Sequence, residues 1–297
     1  DCGRRGHAGN DDMSSVAVVT DSVACLPQQV IDEYGIHIIP VRVTAGGKTY
    51  QDGAEELPPE VVRRLQETPD IDTTPWPPEY YCRRYVELGR ESQDIVHVVA
   101  FSQFTSTISL ARAGADMAQE AVPGLRIELL DSATTTMAQG FIALAAARAA
   151  AASSGIEEVV AAADAVKERV SSIFALDTLQ YLARTGRVNR LAAWAGSLLN
   201  VRPIVGLSRG SARPLALVRS RAQSTVRLIK LMDDGAGDTQ ALHVAVMDVD
   251  RPQEAEELSS VITERFRPVE LYRVRFTPAM QAVAGSGLLG VAFYSTP

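Results

Sequence analysis

The 297-residue chain carries 29 Lys and Arg against 36 Asp and Glu, a formal net charge of -7, and 46% of its residues are apolar. That length and apolar content exceed what one core usually needs, so two domains are expected, while the acidic balance excludes general nucleic-acid binding, which requires clustered Lys and Arg. Cys2, Cys25 and Cys82 show no C-x-x-C spacing, and His7, His37, His97 and His243 form no H-E-x-x-H pair, which argues against a disulfide framework and against a metal enzyme.

Residues 1–12, DCGRRGHAGNDD, are polar, lack the apolar core of a signal peptide and read as a disordered extension or a cloning remnant. From there, strand-like runs at 16–20, 36–43, 95–101 and 126–130 alternate with helix-like segments at 27–34, 58–67, 78–91, 107–120 and 136–152. Such alternation predicts a mostly parallel sheet with helices on its faces. Pro27 marks one helix start and Pro77–Pro78–Glu79 another, whose Tyr81, Tyr85 and Leu88 share a face. GGKTYQDG at 46–53 predicts a protruding hairpin or loop. The most apolar run, 141–152, is mostly alanine and interrupted by Arg148, so it reads as a buried helix and not as a membrane span.

Helix is expected to continue over 153–171, with Ser153 or Ser154 capping after a break at Gly155. Short strands near 212–219, a helix at 221–233, a strand at 241–248, a helix at 252–265 and strands at 269–276 and 291–295 follow. The expected division is an N-terminal α/β domain over 13–168 and a C-terminal mixed α/β domain over 169–297.

Three hydroxyl-rich stretches stand where strands give way to helices: VAVVTDS (16–22), VVAFSQFTSTIS (98–109) and IELLDSATTT (127–136). Backbone N–H groups at such junctions point beyond the strand's carboxyl end, and hydroxyls beside them can hold an oxyanion. For any one of these residues ordinary helix capping is the simpler account; as three loops they point to an acidic head group. Asp21 and Asp131, with Ser22 and Ser132, suit loop fixing better. There is no G-x-S-x-G elbow, so a serine hydrolase is disfavoured, and Gly285, Ser286, Gly287 and Gly290 lack the lysine of a phosphate loop and read as a turn. Trp76 and Trp194 read as large cavity or core surfaces, and Arg202, Arg219 and Arg221 as a loose basic set.

Eight segments in order resemble the DegV family of bacterial lipid-binding proteins, which includes the fatty-acid-binding subunit of the bacterial fatty acid kinase. They are VAVVTDSVACLP (16–27), GIHIIPVRVTAGGKTYQDG (35–53), DTTPWPPEYY (72–81), FSQFTSTISLA (101–111), LLDSATTTMAQG (129–140), LQYLARTGRV (179–188), GSLLNVRPIV (196–205) and GSGLLGVAFY (285–294). The resemblance implies a two-domain α/β architecture with a lipid tunnel at the junction. It further implies a cytoplasmic carrier with no cofactor and no catalysis of its own, holding a long-chain fatty acid. Its implied partner is an ATP-dependent fatty acid kinase subunit with a dihydroxyacetone-kinase-like domain, which converts the bound acid to an acyl phosphate.

Carried over by motif, the lipid-binding set is Thr73, Thr74 and Thr105, to which the donor chemistry of the same loop adds Ser106 and Thr107. Arg187, in TGRV, matches an arginine associated with phosphoryl transfer; on the sequence alone it could equally be a helix C-terminal charge. The chain departs from the pattern at Trp76, where relatives have a small residue, and at Val283, where those serving the kinase often have histidine. The competing classes are an α/β phosphotransferase or hydrolase using the same loops, and a regulatory protein with lipid as a structural ligand.

Overall fold

The computed structural model describes residues 16–45, 47–67, 73–184, 201–236 and 241–296. Arg187 and Trp194 fall outside the described residues. The first sheet is built from β1 (Ala17–Asp21), β2 (His37–Ile39), β5 (Asp94–Val99) and β6 (Arg126–Asp131), all parallel in the order β2-β1-β5-β6. Its β1 and β5 are buried along nearly their whole length, as parallel strands covered on both faces must be. Between β2 and β5 the chain forms a separate antiparallel hairpin, β3 (Val41–Ala45) and β4 (Lys48–Asp52).

The strand expected over 36–43 is therefore two strands. Pro40 has no N–H to continue a ladder, and the chain leaves the first sheet there to enter the hairpin. Nor does that hairpin simply protrude. Val43 is fully buried against Leu57, Val61 and Leu65 around α2 (Pro59–Glu67), and against Ala279 of a helix near the C-terminus.

Helices α3 (Pro78–Leu88) and α4 (Thr107–Ala121) cover one face of the first sheet, where Tyr81 and Tyr85 pack with Ala111, Ala115 and Ala118. On its other face lie α1 (Gln28–Tyr34), α5 (Thr136–Ala151) and α6 (Ile156–Lys167). Eleven of the sixteen residues of α5 are buried, because the far side of this helix layer meets a second sheet. Helix does not run on through 171: α6 starts after Gly155, which caps it without a side-chain bond from Ser153 or Ser154, and Ser171–Ala175 is a strand, β7. Ile173 and Phe174, a β-branched and an aromatic residue, suit a pleated surface better than a helix.

The second sheet adds β8 (Arg202–Ser208), β9 (Ser211–Val218), β10 (Ala241–Asp248), β11 (Glu270–Arg275) and β12 (Leu289–Thr296) to β7. Its order is β11-β10-β12-β7-β8-β9, with only the β10–β11 pair parallel. The short α7 (Gln180–Arg184) follows β7. The sheet's outer face is covered by α8 (Arg221–Ala236) and α9 (Pro252–Phe266), through Leu228, Met232, Leu258 and Ile262. A last helix, α10 (Pro278–Ala284), not anticipated from the sequence, leads through a turn at 285–288 into β12. Five layers result: helices, parallel sheet, helices, mixed sheet, helices. No helix among the described residues is long and apolar enough to cross a membrane.

Candidate functional site

The carboxyl end of β1 is locked before it reaches any ligand. Thr20 Oγ1 donates to the Val98 carbonyl at 2.8 Å, tying β1 to β5, while Gln139 Nε2 of α5 donates to Thr20 Oγ1 at 3.0 Å and to Asp21 Oδ1 at 3.1 Å. Asp21 Oδ2 accepts the Ala100 N–H at 3.0 Å. Ser22 Oγ donates to the Asp52 carbonyl and accepts the Val41 N–H, so it pins the hairpin to β1. At Gly53, φ is +90° and a Cβ would stand 2.6 Å from that of Ser22, so only glycine allows this approach. Asp131 likewise fixes its own turn, accepting the Ala133 N–H at 2.8 Å.

Beyond these fixed strand ends opens a cavity of about 180 Å³, taken as the space open to the centre of a water molecule. One water occupies about 10–15 Å³ of such space, so roughly a dozen or more carbon-sized units fit. Its wall draws on both sheets and their ends: Ile39 of β2 with Val23 just past β1, and Phe174, Val205 and Leu207 of the second sheet with Leu176 just past β7. Met280, Val283, Ala284 and Leu288 close it from the α10 side. A mostly apolar cavity with a few polar groups on its wall is the usual form of a small-molecule site.

The polar groups are mostly threonines. Thr73, Thr105 and Thr107 line the cavity; Thr74 and Ser106 are exposed and are not among its lining residues. Thr105 Oγ1 accepts the Thr107 N–H at 3.2 Å and lies 2.7 Å from Thr107 Oγ1, so the threonine before the cap position turns the chain into α4. Trp76 Nε1 donates to the Pro40 carbonyl at 2.8 Å, which fixes the indole against the cavity. Trp76 stacks on Tyr80 with ring centroids 4.1 Å apart.

Thr135 and Thr136 also line the cavity, at the start of α5. Thr136 has φ +57°, a conformation that a β-branched residue adopts only under strain, and Thr135 makes no side-chain capping bond. The amino ends of α4 and α5 thus both face the same space, each contributing backbone N–H groups and a partial positive charge. Sequence reasoning does not separate Thr135 and Thr136 from their neighbours in the 127–136 run; only the left-handed turn aims them inward.

Burial dominates the ionisable groups around the cavity. It raises Asp21 to about 6 despite the bonds from Ala100 and Gln139, and it pushes the Cys25 thiol up to about 12, with Asp52 and Asp21 adding to the rise. Cys25 is consequently an inert thiol. Asp52 is raised by burial too, with Oδ2 accepting the Ala279 N–H. Behind the site, His97 is fully buried with Nδ1 2.7 Å from the Tyr85 hydroxyl, and desolvation lowers it to about 3. No cluster of His, Cys, Asp or Glu among the described residues could hold a metal.

A family model described as an uncharacterised protein of the DegV family matches residues 15–296. The chain belongs to the DegV family. Protein DegV of Bacillus subtilis is 28% identical over 281 residues, covering 94% of this chain and 99% of its own. A DegV domain-containing protein of Streptomyces coelicolor is 32% identical over 282 residues, covering 94% and 98%. Among solved structures, DegV of Bacillus subtilis, described as a fatty acid binding protein, superposes with TM-score 0.82 at 28% identity, covering 95% of this chain and 100% of that one. A DegV family protein from Thermus thermophilus, described by its fatty acid binding, gives TM-score 0.85 at 23% identity with the same coverage, a likeness of fold.

Within the DegV fold, Val283 sits on the cavity wall. Arg202 and Arg221, of the loose basic set, are both engaged by Asp177, at 2.9 and 2.6 Å, and Arg202 also donates to the Arg219 carbonyl.

Proposed function

We propose that this chain binds a long-chain fatty acid in the cavity, with the tail in the apolar sleeve and the carboxylate at Thr73, Thr105 and Thr107. The observation that supports this reading is the cavity itself, whose mostly apolar wall also carries Thr73, Thr105 and Thr107 and the first residues of α4 and α5. Burying a tail of about sixteen carbons at about 0.8 kcal/mol per methylene supplies over 10 kcal/mol before association costs. A buried carboxylate left unpaired would forfeit much of it, and hydroxyl and N–H donors answer that need. That the Bacillus subtilis relative is described as a fatty acid binding protein supports the ligand class.

On this reading the chain is a carrier without catalysis of its own, presenting the acid to a separate ATP-dependent fatty acid kinase with a dihydroxyacetone-kinase-like domain, with Arg187 assisting phosphoryl transfer. Val283 favours a second reading, a regulatory protein that keeps lipid as a structural ligand, because valine can neither move a proton nor donate a hydrogen bond. Organic extraction of the purified protein followed by mass spectrometry is expected to yield an acyl species, and delipidated protein should take up added fatty acid. Finding neither overturns lipid binding. Adding the kinase and ATP, and trapping acyl phosphate with hydroxylamine, separates the carrier from the regulator.

A further inference from the structure

Arg42 stands on β3, immediately after the Pro40–Val41 step that carries the chain from the first sheet to the hairpin. It lines the cavity, as do its neighbour Val41 and the indole of Trp76. Its guanidinium carbon lies 6.0 Å from the Trp76 ring centroid, at the outer limit of a cation–π contact. Among the described residues it makes no ion pair with any carboxylate. The acid on the same wall, Asp21, is already committed, one oxygen to the Ala100 N–H and the other to Gln139. Arg42 and Trp76 line the same cavity as Thr73, Thr105 and Thr107, and Thr105 and Thr107 are joined by a 2.7 Å hydroxyl contact. A half-buried cation held on an aromatic face, beside donors that suit an oxyanion, lacks one thing: an anion.

We propose that Arg42 is the specificity-determining cation of this cavity, pairing with the ionised head group and so selecting an acid over a neutral lipid of equal length. The assignment rests on the fatty-acid reading above and adds to it a charge criterion that hydroxyls cannot impose, since alcohols, esters and acids all accept hydrogen bonds from threonine. Arginine suits the task because its planar fork stays protonated beside an apolar wall and can meet both carboxylate oxygens. Trp76 positions that fork while covering its stem.

The test compares hexadecanoic acid with hexadecanol on delipidated protein, at a pH well above the carboxylate range and at low and high salt. Arg42→Gln should weaken the acid about tenfold or more while leaving the alcohol within about twofold, and Arg42→Lys should recover part of the loss. The wild-type preference for acid should shrink as salt rises. Equal weakening of both ligands by Arg42→Gln, or no weakening of either, overturns the assignment to Arg42 while leaving lipid binding in place. Wild-type protein that binds neither ligand overturns both readings, and a fold check by circular dichroism on each variant keeps these results distinct.

Discussion

At the scale of single residues, the cavity threonines separate into those that face the ligand space and those that do not, which makes their roles testable one by one. Thr105→Ala should reduce acyl affinity by about 1 kcal/mol or more, through the lost donor and through the loosened start of α4. Thr105→Ser should stay near wild type, and exposed Thr74→Ala should change nothing; equilibrium binding of a fluorescent fatty acid reads all three. Asp21 supplies a second test. Burial raises its pKa from the usual 3.8 to about 6, so between those values the folded state holds the proton that the unfolded state has released, and stability falls as pH rises through that window. The shift corresponds to about 3 kcal/mol. His97, lowered from 6.5 to about 3, works in the opposite sense, losing stability as pH falls from about 6.5, so the two oppose each other between about 4 and 6. Asp21→Asn should therefore gain on wild type as pH increases from 4 to 7 and expose a steeper acid-side loss, measured by urea unfolding. An unchanged difference across that range would show that Asp21 stays ionised throughout. How much of the site was legible follows the same division. Hydroxyls at strand ends are visible in sequence because strand-to-helix junctions are, but Thr136 depends on a left-handed turn and Arg42 on a chain path broken at Pro40, and neither leaves a composition signal.

At the scale of elements, the sequence marks most boundaries where a physical stop exists: Pro78 opens α3, Pro252 opens α9 and Gly35 ends α1 in a left-handed conformation. It misleads where local pattern is silent about burial. β7 and β8 carry no polar alternation to announce them because both faces of the second sheet are covered, and α10 is seven residues of ordinary composition that gains its place by packing on α2. One close contact sets the geometry of the site from outside it. Gly114 of α4 lies so near α3 that a Cβ would stand 2.6 Å from the Pro78 carbonyl oxygen and 2.6 Å from Tyr81 Cβ. Gly114→Ala gains about 1 kcal/mol of helix propensity, but a clash with backbone costs about 1–3 kcal/mol or more and must push the helices apart. Because α3 carries Tyr81 and follows the Trp76 loop, that displacement should reach the cavity mouth. The variant is expected to melt lower and to bind fatty acid more weakly. Thermal unfolding and ligand titration on one sample check this, and an unchanged affinity would confine the effect to packing.

At the scale of the whole molecule, α5 and α6 serve two sheets at once, and a single apolar cluster runs from Val18 and Val98 of the first sheet through Phe141 and Ile142 to Met247 and Tyr294 of the second. A polar clamp reinforces it. Arg148 of α5 donates to both oxygens of Glu270 on β11, at 3.1 and 2.6 Å, while the Tyr272 hydroxyl donates to the same carboxylate and His243 Nδ1 lies 2.6 Å from it. Burial works to raise Glu270, yet the bonds from Arg148, His243 and Tyr272 outweigh it and hold the carboxyl below its usual range. Glu270→Ala leaves Arg148 half-buried without its partner and should cost about 2–4 kcal/mol. With the two sheets joined in this way, and with the cavity wall drawn from both, a bound acid should stabilise the molecule as one unit. At a hundredfold excess over Kd the gain is about 2.7 kcal/mol, or a rise of roughly 5 °C in Tm for a chain of this size. Delipidated protein is expected to melt in one transition that moves upward intact as acid is added, followed by far-ultraviolet circular dichroism and Trp fluorescence together. Two separated transitions, with only one responding to the ligand, would show that the acid is held by one sheet alone and that the passage between the sheets is not where it lies.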